Sequence, residues 1–190
     1  MPLTTYTAGQ VLTASSLNAN LSFAAGAGGL TLISRTTQGP VASIAYDDVF
    51  TSTYKTYMVV IEDLVGTTTA DVHIQFRYAG PTTQATTYYY AGRGIDTTNG
   101  SADLYGANTS QGVWQTVSTS SLSGTMQFFN VGNSSATPRM VSSSISTSGN
   151  VAQRTIAVIN STARIYTGFL LKLSTGNITA TVSIYGVTAS

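Results

Sequence analysis

From Leu30 onward the chain is written in a period of two, and that rhythm restricts it to paired strands. Asp71-Val-His-Ile-Gln-Phe-Arg-Tyr is the cleanest stretch: Val72, Ile74, Phe76 and Tyr78 fall on one side, and His73, Gln75 and Arg77 on the other. Near the end, Ile178, Ala180, Val182 and Ile184 alternate with Thr179, Thr181, Ser183 and Tyr185. Tyr57-Met-Val-Val-Ile is continuously apolar, which predicts a strand buried on both faces. Segments 30–35 and 43–46 flank a Gly39-Pro40 turn, and Gly80-Pro81 closes the 71–78 strand. Thr87–Ala91 and Gly112–Val117 read as strands separated by a Gly/Asn/Asp loop from Gly92 to Gly112. Segments 125–129, 139–141, 154–159 and 168–173 complete about ten strands, with no second helical pattern. The expected fold is all-β: an antiparallel two-sheet β-sandwich, jelly-roll-like because that weave takes eight or more strands in one domain.

The first twenty-nine residues follow another rule. Thr13 or Ser15 suits a helix N-cap, and Leu17 and Leu21 then lie one turn apart on one face. Gly26, Gly28 and Gly29 end that short helix and form a joint. So narrow a stripe cannot bury itself. It either packs on its own body or frays, or it docks on another subunit through Leu12, Leu17, Leu21 and Phe23. The expected division is a docking arm at 1–29 and a β-sandwich body at 30–190.

Charge narrows the partners. Only 8% of residues are charged, and Ser and Thr supply the missing polarity at about three residues in ten. The eight basic residues, Arg35, Lys55, Arg77, Arg93, Arg139, Arg154, Arg164 and Lys172, are scattered singly, and net charge is +1. Nucleic acid is therefore not an expected partner, because phosphate neutralisation needs a clustered basic face. The absence of Cys removes disulfides and thiolate chemistry and fits folding in a reducing cytosol. MPLTTYTAGQ lacks a basic n-region and an apolar h-region, so no secretory signal is expected there, and no apolar run is long enough to span a bilayer.

Catalytic chemistry finds little purchase. His73 stands without a second His or any Cys, which makes a poor metal site, and it reads as a surface or interface histidine. The pairs Asp47-Asp48 and Glu62-Asp63 point to opposite faces of a strand and form no glycosidase couple by themselves. The 96–103 segment offers oxygen ligands around a Gly turn but lacks the spacing of a calcium loop, so ordinary turn chemistry is preferred. Gly92-Arg-Gly94 lacks the Lys and following helix of a phosphate loop. No catalytic residue, metal ligand or cofactor is assigned. The aromatics Tyr88, Tyr89, Tyr90, Tyr105 and Trp114 have two readings: stacking surfaces for a host-surface glycan, or core residues in which alternate tyrosines and the tryptophan fill the sandwich.

Tyr6-Thr-Ala-Gly-Gln-Val-Leu-Thr-Ala-Ser-Ser-Leu-Asn-Ala-Asn resembles an opening segment of tailed-bacteriophage structural proteins, including fibre and appendage proteins. Phe50-Thr-Ser-Thr-Tyr-Lys-Thr-Tyr-Met-Val-Val-Ile, Asp71-Val-His-Ile-Gln-Phe-Arg and Ala180-Thr-Val-Ser-Ile-Tyr-Gly-Val are similar to β-sandwich modules of the same virion proteins. The resemblance implies a non-enzymatic virion component, assembled in the host cytoplasm with other phage virion proteins and commonly homotrimeric. The chain departs from a long fibre in having no shaft repeat or coiled coil, which points to a capsid decoration, a fibre knob or a small tail subunit. The competing expectations are a glycan-recognising receptor-binding module and, third, a polysaccharide-degrading enzyme.

Overall fold

The computed structural model describes residues 29–97, 100–117, 119–147 and 152–187. Among the described residues are thirteen strands. In chain order they begin β1 (Leu30–Val41), β2 (Ser43–Tyr46), β3 (Thr56–Gly66) and β4 (Ala70–Tyr78). Next come β5 (Thr82–Thr83), β6 (Tyr88–Asp96), β7 (Gly100–Thr109), β8 (Gly112–Val117) and β9 (Leu122–Phe129). The chain closes with β10 (Arg139–Ser146), β11 (Ala152–Asn160), β12 (Gly168–Leu173) and β13 (Ile178–Val187). The expected helix, with Leu12, Leu17, Leu21 and Phe23, lies outside the described residues.

All pairings are antiparallel, in two sheets. The large sheet has the order β1-β13-β3-β9-β10-β11-β6-β7, and the small one β2-β12-β4, with β5 and β8 both on β4. The chain alternates between sheets through β1, β2, β3 and β4, and again at β8–β9 and β12–β13. Eight strands thus form two four-stranded layers, β1-β13-β3-β9 over β2-β12-β4-β8, the weave of a jelly roll. The hairpins β6–β7 and β10–β11 widen the large layer by four strands on the β9 side.

Between the layers lies an aromatic core. Phe50, Phe76, Phe128 and Phe169 are at most 4% exposed. Phe128 packs at 5.1 Å from Phe50 and 5.2 Å from Phe169, and Phe76 at 5.2 Å from Tyr166. Apolar area removed from water is the main stabilising term here, and tilted ring pairs add to it.

Several local expectations change. The 92–112 stretch is mostly strand rather than loop: β6 runs to Asp96, and β7 pairs back on it from Gly100 (φ 72°). Gly39-Pro40 belongs to β1 instead of a turn, and a Cβ on Gly39 would run into Thr179 of β13. The 57–61 run covers only one face: Tyr57, Val59 and Ile61 are fully or almost fully buried, while Met58 and Val60 point to the other side and are half-buried.

Candidate assembly surface

The strand pairings place the sequence-predicted residues at once. Tyr88 and Trp114 are 0% exposed. Tyr88 stacks on Phe76 with its ring 5° from parallel, accepts the Phe76 amide at 2.6 Å and donates to the Gln84 carbonyl at 3.0 Å. That burial raises the Tyr88 phenol far above its ordinary range, against the opposing pull of the Phe76 amide. Trp114 sits at a bulge against β4, its indole Nε1 buried without a hydrogen-bond partner. These two are core residues and present no ring to a glycan. Tyr90 is half-buried against the core, beside Gly106, where any Cβ would strike its ring. Tyr89 and Tyr105 remain at the surface, 43% and 81% exposed.

The acidic candidates are occupied. Asp47 takes a forked pair of hydrogen bonds from the buried Arg77, at 2.6 and 3.1 Å, and tethers the segment before β3 to the outer side of the small sheet. Glu62 pairs with Arg35 at 2.6 Å, and Asp103, in β7 opposite Arg93, lies 3.7 Å from its Nε. Among the described residues, no group of three His, Cys, Asp or Glu could hold a metal ion. His73 is buried rather than on the surface: Gln111 comes within 3.4 Å of its Nε2. Burial lowers its pKa, Asp71 pulls the other way, and Lys172 adds to the lowering.

What the sequence reading did not single out is the outer face of the large sheet. Residues directly opposite across a ladder share a face, so the registers can be followed strand to strand. One row runs Leu32–Tyr185–Met58–Gln127–Val141–Ala157–Ala91–Tyr105 across all eight strands. The next, two residues along, runs Arg35–Ser183–Val60–Thr125–Ser143–Thr155–Arg93–Asp103. Ten large apolar side chains are exposed among the described residues, and eight belong to this face: Leu30, Leu32, Tyr89, Ile95, Tyr105, Val141, Ile145 and Ile159.

β10 shows the inversion most clearly. Its inner side carries Ser142, Ser144 and Ser146, each 3% exposed, while Val141 and Ile145 stand outward at 44% and 48%. Near the middle of the face, Gly124, Thr125 and Ser143 floor a shallow trough of about 540 Å³ flanked by Val60 and Ile145. The charges at the margins are neutralised in pairs, Arg35 with Glu62 and Arg93 with Asp103. Broad, apolar and sparsely charged, such a face is suited to packing against another macromolecule. The signal that could have found it was present in the apolar run 57–61 and in Val141-Ser-Ser-Ser-Ile145, where the apolar residues sit two strand periods apart. No protein-family model matches the chain, and neither a curated protein nor a solved structure matches it.

Proposed function

We propose that this chain is a non-enzymatic structural subunit of a tailed-phage particle, a capsid decoration or small tail or fibre component. Residues 1–29 dock on a neighbouring virion protein and the sandwich assembles beside its neighbours. The observation that carries this reading is the concentration of exposed apolar side chains on one sheet face, eight of the ten among the described residues. A patch of that extent on a small domain marks an interaction surface. The jelly-roll weave supports it, being a fold used in viral capsids, and so does the resemblance of 6–20 to openings of phage structural proteins. Fold alone does not assign function, so the apolar face bears the weight.

The experiment is particle composition. The chain is expected to band with intact, density-purified phage particles from a lysate of its host, and a Leu17→Asp/Leu21→Asp variant to be made, folded and left behind in the soluble fraction. Particles that lack the wild-type chain, or that take up the variant as well as the wild type, overturn the proposal.

A further inference from the structure

We infer that the outer face of the large sheet packs against the same face of a second copy of this chain. The two are related by a two-fold axis in the contact plane, running along the strands between β9 and β10.

Three observations lead there. The first is the unequal use of apolar residues. β3 carries apolar residues on both faces, and β10 sends Met140 and three serines inside while Val141 and Ile145 stand outside. A strand patterned for burial on both sides has a covering on only one side of the monomer.

Area is the second. Eight strands at about 4.8 Å spacing, and about 20 Å along each from Tyr89 to Ile95, give roughly 700 Å² in projection. A stable contact buries about 800 Å² per partner, so the face with its side-chain relief is of the required size.

Self-complementarity is the third. The axis sets β1 against β7 of the second copy, β13 against its β6, β3 against its β11 and β9 against its β10, following the strand order. Along the apolar row, Leu32 then faces Tyr105, Tyr185 faces Ala91, Met58 faces Ala157, and Gln127 faces Val141, so that Tyr185 and Met58 each stand over an alanine. One step along, Arg35 at one margin faces Asp103 at the other, and Val60 faces Thr155. Ile145 of each copy stands over Ser123 and Gly124 of the other, where the trough lies. Isologous contacts require such matching of a surface with itself.

This deepens the assembly reading by naming a partner, and the two fail separately: self-association is read on the isolated chain, particle docking on particles. The test is a charge swap in the full-length chain, read as the dimer dissociation constant by sedimentation equilibrium. Arg35 and Asp103 lie on opposite margin strands of one sheet, seven strand spacings or about 34 Å apart, so they cannot compensate each other within one copy. Arg35→Asp and Asp103→Arg alone are each expected to weaken the dimer roughly tenfold, the two-fold axis making every substitution count twice. Arg35→Asp/Asp103→Arg together is expected to recover part of that loss, because each new charge also meets a like charge of its own copy, at Glu62 or Arg93. Both positions are exposed, and unchanged circular dichroism confirms that the three variants fold. A wild-type chain that stays monomeric at about 100 μM overturns the inference, as does a dimer indifferent to both single swaps or a double variant no better than the singles. A monomer in which Val141→Arg makes residues 1–28 newly sensitive to protease shows that the arm covers the face instead, and overturns it too.

Discussion

β3 serves two different surfaces with one apolar run. Tyr57, Val59 and Ile61 go to an aromatic core closed by the small sheet, whereas Met58 and Val60 go to the broad outer face of the large sheet. Five strands of the large sheet lie on the side of β9 where the hairpins are added, β9 itself included, and there the contrast sharpens. β9 still sends Met126 and Phe128 inward, but β10 sends Ser142, Ser144 and Ser146, and keeps its Val141 and Ile145 outside. The inner face holds the fold together, and the outer face leaves its apolar residues exposed. Equal chemical changes on the two sides are therefore expected to have unequal effects on folding.

The adjacent pair Phe128 and Phe129 gives the widest separation. Phe128 is fully buried among Phe50, Phe76 and Phe169, and Phe129 lies half-buried on the outer face. Phe128→Ala is expected to lower the unfolding free energy by about 3–5 kcal/mol in urea titrations, and Phe129→Ala by about 1 kcal/mol, measured on monomer. Equal losses would erase the distinction between the faces. Ser144→Ala probes the inverted strand. The Ser144 hydroxyl is buried without a hydrogen-bond partner, so its removal is expected to leave urea stability unchanged or raise it by about 1 kcal/mol. A loss of stability would show that the hydroxyl is held.

The smallest effect belongs to His73, buried on the outer side of the small sheet beside Gln111. Its folded pKa lies below 6.5 because burial disfavours the imidazolium. The unfolded chain therefore binds the proton first, and stability falls as pH drops through the window between 6.5 and that lower folded value, levelling off beneath it. His73→Gln should flatten this part of the stability–pH curve; an unchanged slope would assign the dependence to other groups.

Much of the fold was legible because alternation is a local signal. Val72, Ile74 and Phe76 fall inward as their spacing requires, and the two-sheet, antiparallel architecture follows from many such strands. The β6–β7 hairpin was not legible, because Gly92, Gly94, Gly100 and Gly106 read as loop formers while the registers place them in paired strands. Gly92 and Gly106 are required for close approach, to Ile156 and to the Tyr90 ring. Tyr88 and Trp114 could be read as surface or core from composition alone, and only the pairing register places them under the other layer. The outer face was hidden for the same reason: Leu32, Met58, Val141 and Tyr105 are far apart in the chain and meet through seven successive pairings.

The account rests on the outer face being a contact surface, and sedimentation velocity of the full-length chain beside Val141→Arg tests this most directly. Val141 is 44% exposed at the centre of that face, so an arginine there leaves the core intact. The wild-type chain is expected to sediment faster as concentration rises, while Val141→Arg stays monomeric. A wild-type chain that is monomeric throughout, or a Val141→Arg chain that associates as the wild type does, would contradict it.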